Sequence, residues 1–268
     1  MNEKSRGLNV LYGKGDIAER TIGHIGALPT HLILGTPGEM FKSPDEELTA
    51  YLQEKYQDVD WQGDVEVYVG HSPLFRQLKR LFQKERRTNL FARSTVGVAT
   101  TVSGWLSGKF GRTDLYNPWA ETAQVYHAHE AVGLHELGHA EDFDQSKHPT
   151  LRAFAYALPF IRSKLEWNAS HNAMKHLETP EERNRMAKVL EPAFGTYAGF
   201  DALQLAASSP LYPVVAPIAK LAPLIGAVAG HIQSRTSGQN EEGRNIFFNP
   251  EPLDEQVNVG ALRPAFAI

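Results

Sequence analysis

The apolar positions change period several times along the chain. Residues 31–35 (HLILG) form a short apolar run stopped by Gly35, Pro37 and Gly38, which predicts a buried strand. Ser43, Pro44, Asp45, Glu46 and Glu47 carry the signals of a helix start: a capping hydroxyl, a proline for the first turn and acids that complement the helix dipole. That helix is expected to run to about Tyr56. Residues 65–69 alternate in character and predict a strand. Ser72 and Pro73 open a second helix with Leu74, Phe75, Leu78, Leu81 and Phe82 on one face. Its other face carries Arg76, Lys79, Arg80, Lys84, Arg86 and Arg87, a run expected to be solvated and open to anionic lipid or an acidic partner. Residues 96–105 are apolar with small residues, and their periodicity fits a strand or a helix equally.

Residues 114–118 read as a turn, and 122–127 as a strand that leads within a few residues into an apolar-faced helix at 131–143. A helix is expected from about Thr150 to Leu158, ended by Pro159, and a strong helical pattern covers 161–177. Thr179, Pro180, Glu181 and Glu182 have the signature of a capped start, with the helix running to about Leu190. From Phe194 to Ile232 the texture becomes rich in Ala, Leu, Pro and Gly. A helical hairpin packed on the rest of the protein is expected there. Its second half approaches the roughly 20 apolar residues that cross a bilayer. Lys220, Pro213, Pro217 and Pro223 oppose a straight span, so contact with a membrane through 194–232 stays open. Residues 236–268 are polar and broken by Pro and Gly, as in an extended tail. The expected division is 1–145, an α/β part; 146–235, a helical part; and 236–268, the tail.

The chemistry concentrates in residues 135–139, His-Glu-Leu-Gly-His. Two histidines four apart on a helix lie one above the other, so their imidazoles can share one zinc ion. Glu136, one step round the helix, can hold the attacking water and take its proton. Val132, Leu134 and Leu137 give the helix a buried side, while Gly133, Gly138 and Ala140 permit close neighbours.

This stretch resembles the active-site helix of zincin metallopeptidases, in which uncharged residues surround the HExxH motif. Val132, Gly133, Leu137, Gly138 and Ala140 fit that pattern, and Glu141, where an apolar residue is usual, departs from it. The resemblance covers about residues 122–177. It implies an α+β, zincin-like fold: a mixed sheet with the active-site helix, followed by a helical C-terminal part. It also implies an antiparallel edge strand that pairs with the substrate backbone, for which 122–127 is the candidate. Metzincins place the third ligand six residues after the second histidine, and Gln145 there does not suit. Gluzincins supply a glutamate from a later helix, which points to Glu166, with Ala169 as the small residue and Ser170 in place of the aspartate that orients the first histidine. Asp142, Glu178 and Glu191 remain alternatives. Tyr197, between glycines, could stabilise an oxyanion, and His129 and Glu130 could cap the helix or line the cleft.

Composition narrows the rest. No cysteine is present, which removes disulfides, thiolate zinc sites and cysteine nucleophiles, and leaves His, Glu and Asp as ligands. A net charge of -4 gives no reason to expect nucleic acid. The first residues lead into no apolar core, so no secretory signal is expected and cytoplasm is the default compartment, with membrane association open. The sequence therefore predicts a zinc-dependent metalloendopeptidase acting on a peptide or protein, with His135, His139 and Glu166 on Zn2+ and Glu136 as base. The competing expectation is a non-catalytic, membrane-associated or partner-binding protein whose motif helix is structural or only binds metal.

Overall fold

A computed structural model describes residues 7–16, 23–25, 27, 42–156, 158, 161–207, 216 and 220–237. The strand expected at 31–35 and nearly all of the tail lie outside the described residues. β1 (Gly7–Tyr12), β2 (Asp64–Val69), β3 (Leu115–Asn117) and β4 (Thr122–Val125) form one sheet in the order β1-β2-β4-β3. The first three strands in that order run parallel, and β3 is antiparallel to β4. Two expectations are corrected here. Residues 114–118 are not only a turn, because Leu115–Asn117 pairs with β4 and is the edge strand among the described residues. Residues 122–127 are not the edge, because β4 is bonded on both sides.

The alternation in β2 divides the two faces of the sheet. Val65, Val67 and Val69 enter the main core with Ala123 and Val125 of β4. This face is covered by α1 (Glu46–Lys55) and α4 (Glu130–Asp144), the helix that carries the histidine motif. Asp45, not Ser43, caps α1, accepting from the Leu48 backbone N–H at 2.9 Å. Glu66 and Tyr68 point to the opposite face, under α2 (Leu74–Leu81). The ambiguous stretch from Val96 is helical: one turn at Leu90–Ala92, a π-helical segment Arg93–Gly97, then α3 (Val98–Gly111). Its small residues explain the ambiguity, since a Cβ on Gly104 would stand 2.6 Å from Leu115 and one on Gly108 2.5 Å from Tyr126. They let α3 lie directly on β3 and the end of β4.

The basic run is solvated only in part: Arg76, Lys79 and Lys84 are exposed. Arg80 and Arg86 are buried. Arg80 bonds the Ala120 carbonyl at 3.0 Å and pairs with Asp64 at 3.2 Å and Glu66 at 2.9 Å. Arg86 pairs with Asp64 at 2.9 Å and with buried Glu121 at 3.1 Å. Arg87 reaches the carboxyl end of α4, pairing with Asp144 at 3.3 Å and bonding the Ser146 carbonyl at 2.7 Å. Helical periodicity misplaces these side chains because acids from β2, the turn before β4 and α4 meet them, while Phe75 and Phe82 stay exposed.

After α5 (Pro149–Ala155), α6 (Ile161–Lys175) packs against α4. α7 (Pro180–Ala207) does not stop at Leu190 as expected but continues through Pro192, and α8 (Ala222–Ser237) returns along it. Added Cβ atoms would meet backbone at 1.9 Å from Gly226 to the Gly195 oxygen, 2.3 Å from Gly199 to that of Ala222, and 2.5 Å from Gly230 to that of Glu191. The contacts repeat every four residues in opposite directions on the two helices, so the expected hairpin is an antiparallel one that excludes side chains along its seam. No described helix is long and apolar enough to cross a membrane. The whole is a mixed α+β fold with zincin-like topology: a four-stranded sheet, the motif helix, then C-terminal helices.

Removing Arg86 strands the buried Glu121 carboxylate. Arg86→Ala is expected to cost about 3–5 kcal/mol in a denaturant melt. Lys84→Ala, at an exposed position of the same basic run, should stay within roughly 0.5 kcal/mol of the parent.

Candidate metal centre

α4 is held in place from its first residue to its last. His129 caps it, its ring nitrogen accepting from the Ala131 backbone N–H at 3.1 Å. Glu130 pairs with Arg185 of α7 at 2.7 Å. Midway, the buried Tyr56 hydroxyl donates to the Leu134 carbonyl at 3.1 Å. At the far end Asp144 accepts from the backbone N–H groups of Gln62 and Gly63, at 2.7 and 2.8 Å. Glu141, charged where the zincin pattern is apolar, is buried against His176 at 2.9 Å.

α6 crosses this helix at Gly138, where an added Cβ would stand 2.0 Å from the Ala169 carbonyl oxygen. Asn172 of α6 donates to the Gly138 carbonyl at 3.2 Å. At this approach Glu166 reaches both histidines: its Oε2 lies 3.0 Å from His135 Nε2 and 3.1 Å from His139 Nε2. Ligand atoms of His135, His139 and Glu166 all lie within 4.8 Å of one another, and all three side chains are buried. About a tetrahedral ion with bonds of roughly 2.0–2.1 Å, neighbouring ligand atoms stand about 3.3 Å apart. The separations from the two imidazoles to Glu166 are within a few tenths of an ångström of that edge, so the residues present fit a divalent cation. This is an HExxH, gluzincin-style metal-binding arrangement.

The remaining ring nitrogens are also engaged. Ser170 Oγ lies 3.1 Å from His135 Nδ1, so the serine takes the orienting position as expected. Tyr156 OH lies 3.3 Å from His139 Nδ1, with the two rings 5.5 Å apart. Tyr156 lies in the helix expected over 150–158, but nothing in the sequence ties it to His139, which it meets at the end of α5. The alternatives to Glu166 are elsewhere. Asp142 forms a bidentate pair with Arg152 and accepts from Asn168 at 2.9 Å. Glu178 is exposed and faces Lys55 at 3.7 Å. Neither Glu178 nor Glu191 belongs to the metal-binding group.

The electrostatics follow from burial and from three acids held close together. Burial pushes the His135 imidazole below its usual value, reinforced by His139 and opposed by Glu166. That favours the neutral form, which has the lone pair a metal needs. Burial alone would raise Glu166, but the charge interaction with His139 and hydrogen bonds from both histidines outweigh it and hold the carboxyl well below its ordinary range. Glu136 goes the other way: burial first, then the charges of Asp114 and Glu166, push it well above the usual carboxylate value. The backbone N–H of Tyr116, on the edge strand, works in the opposite direction. Glu136 Oε2 is buried and makes no hydrogen bond. A dication at the centre would reverse the sign of this field.

Tyr197 of α7 belongs to the same environment. The charge of Glu166, then burial, then the charges of Glu136 and Asp114 raise its phenol well above its ordinary value. Asp114 is ion-paired with His127 and accepts from the Tyr126 and His127 backbone N–H groups. The sequence reading treated Asp114 as a turn residue, and only the folding of β3 beside β4 brings its charge to the motif.

The fold thus has a zincin-like topology, and the site a gluzincin-style metal-binding arrangement. No protein-family model, curated protein or solved structure matches the chain.

The glycine contact gives a direct test. Gly138→Val should separate α4 from α6, destabilise the fold by about 1–3 kcal/mol, and weaken zinc binding measured by competition with a chromophoric chelator. Gly111→Ala, whose Cβ would meet its nearest neighbour at 3.3 Å, should leave zinc binding unchanged.

Proposed function

We propose that the protein is a zinc-dependent metalloendopeptidase. The observation that carries this reading is the convergence of both imidazole Nε2 atoms on one oxygen of Glu166, beside a buried Glu136 oxygen with no hydrogen-bond partner. His135, His139 and Glu166 would hold zinc. When bound, the ion supplies Lewis acidity that polarises the scissile carbonyl and lowers the pKa of water.

The chain's own residues account for the remaining tasks. Glu136, adjacent to the ligands in sequence but outside the metal-binding group, takes the proton of the attacking water and passes it to the leaving amine. Ser170 and Tyr156 fix the imidazole planes. Tyr197 stays protonated and can donate to the developing oxyanion. β3, the edge strand beside Glu136, takes the part expected of 122–127 and offers its outer backbone to an extended substrate.

Purified protein should hold about one zinc per chain, and His139→Ala should lose most of it. Glu136→Gln should keep both fold and zinc while abolishing hydrolysis of any peptide the parent cleaves. Activity that survives this change would place the base elsewhere. Glu166→Ala should weaken zinc binding far more than Asp142→Ala, and equal effects would overturn the ligand set. For Tyr197→Phe, kcat is expected to fall by about 10²–10³ with little change in KM.

A further inference from the structure

A second site lies at the carboxyl ends of the three parallel strands. Their ends, Tyr12 to Gly15 after β1, Gly70 after β2 and Tyr126 after β4, surround a small cavity of about 40 Å³ completed by Ser43 and Arg112. None of the metal-binding residues lines it. In open sheets of parallel strands this end is where loops converge and ligands bind.

The chemistry of the lining is one-sided. Lys14 and Arg112 bring two cations, Ser43 brings a hydroxyl, and no lining residue is an acid. This is a local excess of positive charge in a chain whose net charge is -4. Arg112 is buried in the left-handed region (φ 47°) at the end of α3. Its guanidinium bonds the Tyr126 and Lys42 carbonyls and approaches His24 Nε2 at 2.8 Å, so its position is fixed. Lys14 and Ser43 are exposed, and Gly15 between them and the strand ends is buried. Among the described residues, the backbone N–H groups of Lys14 and Gly15, the Lys14 ammonium and the Ser43 hydroxyl make no hydrogen bond or ion pair. A buried N–H without a partner is uncommon and calls for an acceptor.

Close packing keeps the rim narrow. Gly70 has φ +79°, and a Cβ there would meet the Gly13 carbonyl at 2.7 Å; one on Gly13 would meet the His71 ring at 2.5 Å. The loops after β1 and β2 therefore touch backbone to backbone beside the cavity.

We propose that this cavity binds the phosphate group of a small ligand, held by the Lys14 and Gly15 backbone N–H groups, the Lys14 ammonium, the Ser43 hydroxyl and Arg112. A backbone amide without a partner beside a lysine ammonium offers donors to an anion, and planar guanidinium suits phosphate oxygens. The cavity is small, so the phosphate group itself is the part of the ligand it can hold.

The test is calorimetric titration of the full, zinc-loaded chain with inorganic phosphate and, separately, with glycerol phosphate, at constant ionic strength set by chloride. Saturable binding of either probe at one site per chain is expected, with the better probe telling free phosphate from an ester. Lys14→Ala and Ser43→Ala alter exposed side chains, so the fold and zinc content should persist, and Lys14→Ala should weaken binding by about tenfold or more. Lys14→Glu should abolish binding, and His139→Ala should leave it unchanged. Absence of saturable binding, binding indifferent to Lys14→Glu, or binding lost in His139→Ala would each overturn the proposal, the last by moving the phosphate to the metal centre.

Discussion

The contact on which the site depends is the crossing of α4 and α6 at Gly138. With no side chain there, the Ala169 carbonyl lies where a Cβ would be. That approach sets how far Glu166 can reach, and Glu166 must reach two imidazoles at once. A Cβ at this position would move α6 outward and carry the glutamate away from both. Gly133 one and a half turns earlier allows a similar approach by Leu52 of α1, where a Cβ would stand 2.9 Å from its methyl groups. The motif helix is thus gripped on two sides through its glycines, and its two histidines gain a fixed orientation from packing that the HExxH letters alone do not describe.

Charge is distributed with equal economy. Four strongly basic side chains, Arg76, Arg80, Arg86 and Arg87, are drawn to acids on β2, the turn before β4 and the end of α4. They neutralise the sheet's acids away from the metal centre. At the centre itself Glu136, Glu166 and Asp114 lie close enough to influence one another, and His127, His135 and His139 are the nearby groups that can balance them. The two carboxyls are pushed in opposite directions, Glu166 below the usual carboxylate value and Glu136 above it, because the histidines approach Glu166.

The sequence made the motif legible because four-residue spacing on a helix is a local rule. It also pointed to Glu166 and Ser170, since a second helical pattern carried them in a spacing that resembles gluzincins. α1, β2 and the glycine-lined hairpin were legible for similar reasons of period and composition. What escaped depends on partners distant in the chain. The arginines look solvated until Asp64 and Glu121 are placed beside them. β3 has only three residues and looks like a turn until β4 gives it hydrogen bonds, and its presence moves β4 from the edge to the interior. Tyr156 falls in a stretch expected as helix, and nothing in its spacing ties it to His139. The helix expected to end near Leu190 continues past Pro192, with α8 packed across the break.

That last arrangement has a mechanical consequence for the wall beside the candidate metal centre. Proline removes one rung from the ladder of α7 and leaves a point of bending compliance, placed between Arg185, tied to Glu130, and Tyr197, which faces the acids of the centre. Gly230 and Gly226 set α8 against Glu191 and Gly195, one on each side of Pro192. α8 therefore acts as a splint. The stiffness with which the tyrosine is presented is governed by a helix that holds no functional side chain of the site, and fraying of α8 would loosen that wall before any residue of the motif moved.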